Sequence, residues 1–199
     1  MDDGDVRHKN PSAETPKAAI NLSKTVALVG LMGAGKSAVG RRLAARWKYD
    51  FVDADNAIED AAGCTIAEFF ERHGEDEFRR GEERVIARLL AGPPIVLATG
   101  GGAYMSPLTR ESLRQQAITL WLQADIDVLF ERVSRRTHRP LLKTADPRAT
   151  LQDLMAVRYP LYAHADLVVD SDHGSIEQTV ERANAAVQTY LQQPLEQGE

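Results

Sequence analysis

The sequence predicts an α/β fold built on a parallel sheet. Two patterns carry that reading. Short apolar runs of strand length alternate with longer stretches of helical spacing. Glycine clusters follow the strand-like runs, at the ends where parallel sheets bind their ligands. The length of 199 residues fits one domain, large enough to bury a core without cross-links.

Residues 25–29, Thr-Val-Ala-Leu-Val, form an apolar run bounded by Gly30, the mark of a buried strand. A glycine-rich turn leads to residues 38–47, which have helical spacing. Residues 49–52 read as a second strand. Residues 54–61 and 65–72 read as short helices, the latter opened by a capping box in which Glu68 follows Thr65 by three. Residues 75–90 form a longer helix with Phe78, Val85, Ile86, Leu89 and Leu90 on its apolar stripe, stopped by Pro93-Pro94. Residues 95–99 are the third strand and run into Gly100-Gly101-Gly102. A helix over 107–115 leads to the fourth strand, 118–122, and residues 125–135 are helical. The stretch 136–148 is basic and carries Pro140 and Pro147, so it reads as a mobile loop, a lid that begins near residue 135. Residues 149–158 are helical, 167–170 form the fifth strand and 175–191 the closing helix. Residues 1–23 are polar without an apolar period and read as a flexible extension, and the chain frays from 192 onward.

With 24 basic against 29 acidic residues the net charge is −5, which argues against a nucleic-acid partner. No run approaches the roughly 18 apolar residues of a membrane helix, so no membrane partner is expected. The lone Cys64 cannot form an internal disulfide, and no signal peptide is evident; a cytoplasmic location is expected. The five histidines show no metal-ligand spacing. No long apolar surface stripe is left over, so a monomer is expected.

Gly30-Leu31-Met32-Gly33-Ala34-Gly35-Lys36-Ser37 fits G-x-x-x-x-G-K-[ST], with a strand before it and a helix after it. The glycines let the backbone of Gly33, Ala34 and Gly35 curl so that successive N–H groups point inward. The helix beginning near Lys36, Ser37 and Ala38 adds its positive dipole end. Lys36 neutralises phosphate charge, and the Ser37 hydroxyl suits Mg²⁺. A plain turn between strand and helix would need neither lysine nor serine.

Asp53 and Asp55 leave the second strand two residues apart. Strand spacing would put both carboxylates on one side, beside the phosphate loop, to serve a metal and a substrate hydroxyl. The plainer alternative has Asp55 capping a helix that starts at Asn56, with Asp53 in solvent. Arg79 and Arg80 lie on the long helix, Arg139 in the basic loop, and Arg158 at the end of a helix, where the dipole alone favours it. Singly, each reads as surface charge. Together, beside a phosphate loop, they suggest a pocket for an anionic acceptor, because the planar guanidinium fork binds both oxygens of a carboxylate. Three successive glycines at a strand end carry an entropic cost that close approach to a ligand would justify.

In these motifs the chain resembles shikimate kinase, in order from about Thr25 to Tyr190. The residues that carry the resemblance are the loop from Gly30 to Ser37, Asp53 with Asp55, Phe78-Arg79-Arg80 with Glu82, Gly100-Gly101-Gly102, Arg139-Pro140-Leu141-Leu142, and Arg158-Tyr159-Pro160-Leu161-Tyr162. The resemblance implies the three-layer P-loop kinase fold of nucleoside-monophosphate kinases, with a five-stranded parallel sheet in the order 2-3-1-4-5. It implies a single domain over 24–191, with a shikimate-binding region over about 54–82. It implies transfer of the γ-phosphoryl group of MgATP to the 3-hydroxyl of shikimate, in the route to chorismate. It also implies roles. Asp55 binds the shikimate hydroxyls and is base or orienter. Arg79 and Arg158 clamp the carboxylate, helped by Glu82. Gly100, Gly101 and Gly102 give backbone contacts, and Phe78 lines the pocket. Asp53 supports one Mg²⁺ ion, through water, together with Ser37. Arg132 packs against adenine, and Arg139 closes over the phosphates. A related gluconate-type kinase would share the phosphate loop without needing this arrangement of arginines.

Overall fold

The structure, a computed structural model, describes residues 20–135, 144, 146–171 and 174–193. Strands β1 (Thr25–Val29), β2 (Phe51–Asp53), β3 (Val96–Ala98), β4 (Ala117–Gln123) and β5 (Leu167–Asp170) form one sheet in the order β2-β3-β1-β4-β5. All four pairings are parallel. Every residue of the central strand β1 and of β3 is buried. Successive strand residues point to opposite faces, so helices must cover both sides of the sheet.

The helices are α1 (Lys36–Trp47), α2 (Ala54–Ala62), α3 (Ile66–Leu90), α4 (Pro107–Gln116), α5 (Ile126–Ser134), α6 (Pro147–Tyr162) and α7 (Ile176–Gln192). Local chemistry sets most of their starts. Thr65 and Ser175 each close a capping box, while Ser106 and Asp146 cap α4 and α6 with proline following at once. Trp47 and Trp121 are core residues, and Trp47 Nε1 donates to Asn184 Oδ1 at 2.7 Å to tie α1 to α7.

The two helices expected over 65–72 and 75–90 abut as one element, α3, broken at Gly74. That residue has φ 77° and ψ 177°, which glycine alone adopts without strain. The 3-10 turn Ala103–Met105 after the triple glycine was not expected. The expected helix end at Arg158 is a further difference. α6 continues through Pro160 to Tyr162. Tyr162 is fully buried and its hydroxyl donates to Gly101 O, and this anchoring outweighs the hydrogen bond lost at the proline. Arg158 therefore sits inside a helix and is not held there by a terminal dipole.

Two apolar clusters result. The large one surrounds the sheet. A smaller one joins Ile58 of α2 to Phe78 and Val85 of α3, with Phe69 and Phe70 packed on it. Among the described residues no helix is long and apolar enough to cross a membrane.

Candidate active site

β1 ends at Val29, and the chain turns through Gly30 to Gly35 into α1. Gly33 and Gly35 have φ of 85° and 95°, left-handed values that a side chain would strain. At Gly33 an added Cβ would also stand 2.9 Å from Val133 Cγ1. No side chain caps α1, and its first turn carries no acidic residue. The N–H groups at Lys36, Ser37 and Ala38 thus begin a helix whose positive end has no capping side chain and no acid in its own first turn. Lys36 Nζ donates to Gly30 O at 2.8 Å and to Leu31 O at 2.9 Å, which folds the ammonium back over its own loop.

Ser37 Oγ donates to Asp53 Oδ2 at 2.6 Å. Asp53 is both the last residue of β2 and the N-cap of α2, its Oδ1 accepting from Asp55 N at 3.2 Å. This corrects the expected geometry of the acid pair. Helix α2 starts at Ala54, so the two carboxylates are not related by strand parity, and the capping residue is Asp53 and not Asp55. The consequence is a division of labour. Asp53 faces the phosphate loop, and Asp55, in the first turn of α2, faces the end of β3.

That end is Gly100-Gly101-Gly102; none has a positive φ, and Gly100 and Gly102 are needed for space. An added Cβ on Gly100 would stand 2.7 Å from Asp55 Oδ1 and 2.9 Å from Glu82 Oε1. One on Gly102 would stand 2.6 Å from Arg79 Nη2. Gly101 O accepts from Arg158 Nη1 at 3.0 Å, and the Gly101 Cα side lies toward Met32 N and Gly30 O of the phosphate loop, which an added Cβ would approach to 3.5 Å and 3.7 Å. The triple glycine is therefore the meeting point of Asp55, Glu82, Arg79 and Arg158, and it lies beside the phosphate loop.

Arg79 Nη1 donates to Glu82 Oε2 at 2.6 Å, and its other nitrogens reach Glu75 at 3.2 and 3.4 Å. Burial pushes the Glu82 carboxyl above its ordinary value. Arg79 opposes that shift without cancelling it, and the neighbouring charge of Asp55 adds to it. Burial also raises the Tyr162 hydroxyl, which keeps it a donor to Gly101. Phe78 lies in the small apolar cluster, its ring centroid 4.5 Å from that of Phe70 and 5.2 Å from Arg79 Cζ. It supports the guanidinium from below.

Arg132 is at the phosphate loop, where Nη1 approaches Gly33 O at 3.4 Å and Ser171 Oγ at 3.2 Å, and Nη2 donates to Ser171 O at 2.7 Å. Ser171 carries no motif and was missed in the sequence; only the parallel placement of β5 beside β4 brings it here. Arg139 and most of the expected lid lie outside the described residues. Among the described residues no group of three or more His, Cys, Asp or Glu side chains could hold a metal by themselves.

A lysine-and-serine phosphate loop opening a helix, its serine bonded to the Asp53 carboxylate, beside a glycine turn that gathers Asp55, Arg79 and Arg158, defines a P-loop kinase that phosphorylates a small molecule. The model of the family described as shikimate kinase matches residues 32–188. The chain is 52% identical over 176 residues to the shikimate kinase of Paramagnetospirillum magneticum, covering 88% of this chain and 90% of that one. It is 53% identical over 184 residues to that of Bradyrhizobium diazoefficiens, covering 91% and 89%. Among solved structures, the shikimate kinase of Acinetobacter baumannii in complex with shikimate superposes with a TM-score of 0.81 at 35% identity, covering 85% of this chain and 96% of that one. A gluconokinase of Sinorhizobium meliloti shares the fold, with a TM-score of 0.57 at 21% identity and coverage of 86% and 98%. This chain belongs to the shikimate kinase family.

Proposed function

We propose that this protein transfers the γ-phosphoryl group of MgATP to the 3-hydroxyl of shikimate, giving shikimate 3-phosphate and ADP, as a monomer in the cytoplasm. One observation carries the reading: the triple glycine lies beside the phosphate loop and gathers Asp55, Arg79 and Arg158 around it. An acceptor with a hydroxyl near one end and a carboxylate at the other fits that spread of charge. The two guanidinium forks bind the carboxylate, and Asp55 holds the hydroxyl facing the phosphates. The hydroxyl oxygen bonds to the γ-phosphorus as the bond to the β,γ-bridging oxygen breaks. The hydroxyl proton leaves toward Asp55, and the displaced electrons stay on ADP.

The loop N–H groups from Gly33 to Ala38 and the Lys36 ammonium bind the phosphate oxygens. The Ser37 hydroxyl and the Asp53 carboxylate are hard oxygen donors that meet at 2.6 Å, a set that suits Mg²⁺ when nucleotide phosphates complete its coordination. When bound, that ion neutralises charge on the phosphates. Asp53 holds Ser37 in place from the end of β2. The role of Arg139 in closing over the phosphates rests on the Arg139-Pro140-Leu141-Leu142 motif alone.

A coupled assay of ADP release with shikimate, gluconate and cytidine monophosphate as acceptors tests the proposal. Turnover with shikimate at least about a hundredfold above the other two, some 2.7 kcal/mol of transition-state discrimination, is the expected result. Equal or greater turnover with gluconate would overturn it.

A further inference from the structure

The inward-facing N–H groups of a phosphate loop require its carbonyls to face the other way. Those carbonyls need donors, because orphaned acceptors inside a protein are costly. Lys36 supplies them for Gly30 and Leu31 from within the loop, and Leu31 O also accepts from Ala34 N at 3.2 Å. For Gly33 and Ala34 the donors come from two distant elements. Ser171, the residue after β5, is 3% exposed. Its Oγ donates to Ala34 O at 2.9 Å, across 137 positions of sequence. Arg132 of α5 reaches Gly33 O at 3.4 Å.

The directions of these bonds are fixed by chemistry. Arginine has donors and no acceptor, so the 3.2 Å contact between Arg132 Nη1 and Ser171 Oγ uses a lone pair of the serine. The single serine proton is then committed to Ala34 O. Arg132 Nη2 donates to Ser171 O at 2.7 Å, and Ser171 N donates to Gln123 O of β4 at 2.8 Å. Ser171 is thus held by its own backbone on both sides and has one hydroxyl orientation.

We infer that Ser171, braced by Arg132, is a positioning residue for the nucleotide: it fixes the peptide planes at Gly33 and Ala34 so that the loop N–H groups converge on phosphate before the ligand arrives. The inference rests on the reading of the loop as the MgATP site. It gives the Arg132 guanidinium a task in shaping the loop, whatever it does at the base. Preorganised donors bind without a reorganisation cost, so losing the brace weakens nucleotide binding and leaves acceptor binding alone.

The test uses the full chain with Ser171→Ala, Ser171→Thr and Arg132→Lys. Turnover of MgATP and shikimate by the unaltered protein is the control. Its absence would overturn the kinase reading itself, independently of the variants. With turnover present, Ser171→Ala is expected to raise the KM for ATP and the Kd for ADP about tenfold, with the KM for shikimate within about twofold. Ser171→Thr keeps the hydroxyl and restores both nucleotide constants. Arg132→Lys, whose single nitrogen replaces the two separate guanidinium nitrogens that reach Gly33 and Ser171, shifts the nucleotide constants in the same direction as Ser171→Ala. Unchanged nucleotide constants in Ser171→Ala would overturn the inference. So would equal losses for nucleotide and shikimate, the sign of general loosening, or a threonine variant as impaired as the alanine one.

Discussion

Arg79 donates a 2.6 Å hydrogen bond to Glu82, whose side chain is only 2% exposed. The arginine that should meet the acceptor is therefore oriented by an acid that water barely reaches. Glu82 holds its Nη1 and Glu75 its Nε and Nη2, with the Nη1–Nη2 edge lying against Gly102 at the site. The arrangement makes guanidinium geometry, and not charge alone, the property on which the pocket depends.

Arg79→Lys should accordingly raise the KM for shikimate by about tenfold or more even though the positive charge is kept, since lysine cannot bond Glu82 and a carboxylate from separate donors along the edges of one plane. Initial rates at varied shikimate, with ATP saturating, measure this. An unchanged KM would make Arg79 a helix-surface charge paired with Glu75 and Glu82.

Gly102→Ala isolates the same contact without touching a charged group. Gly102 has φ −98° and ψ −15°, which alanine adopts freely, so the protein should fold with little change in thermal midpoint. The added methyl would stand 2.6 to 2.8 Å from three atoms of the Arg79 guanidinium and must push it aside. The expected outcome is a loss of shikimate affinity comparable with that of Arg79→Lys, about tenfold, with the Kd for ADP unchanged. Full shikimate affinity in a well-folded variant would show that the guanidinium position is not what the pocket reads.

Glu82 sets a pH dependence of stability. Burial raises its pKa above the ordinary 4.5 in the folded protein, so the folded state holds the proton more tightly than the unfolded chain does. Its contribution is fully present below the ordinary value and is lost as the pH rises through the raised value. Glu82→Gln has no such titration. Urea unfolding at a series of pH values should show the unaltered protein losing stability relative to Glu82→Gln as the pH climbs from about 4.5. A difference between the two that stays flat with pH would remove Glu82 as the source.

Asp55→Asn keeps the shape of the side chain and removes its capacity to take a proton. A fall in kcat of roughly 10²–10⁴-fold is expected, with the KM for ATP nearly unchanged. Pre-steady-state phosphate transfer should report the same loss in the chemical step. If the nucleotide constants changed and the transfer rate did not, Asp55 and not Asp53 would be the residue serving the phosphates.

What the sequence reveals is what short-range pattern encodes. The loop from Gly30 to Ser37 is legible because its glycines, lysine and serine act within eight consecutive residues. The sheet order follows from a resemblance spread over ordered motifs. The division of the acid pair was not legible, because it turns on whether α2 begins at Ala54 or at Asn56, a difference of two residues at a strand end where caps and strand parity compete. The triple glycine announced a close approach but not its partners, which arrive from α2, α3 and α6. The break in α3 was visible only as the gap between two helical patterns, since Gly74 is a single residue among strong helix formers. Ser171 had no signal of its own. A lone serine after a strand acquires meaning only when the sheet carries it to Ala34.

The small cluster of Ile58, Phe78 and Val85 stands apart from the main core, with Leu89 packed against both. The α2–α3 part of the proposed acceptor site thus has an interior of its own, while the proposed nucleotide site is built into the sheet. Inherited changes in α2 and the first part of α3 can accumulate without disturbing the strands that carry the phosphate loop. Acceptor preference is therefore free to diverge over descent while nucleotide chemistry is passed on intact, and a designer who wishes to retarget this scaffold has a defined stretch of chain to exchange.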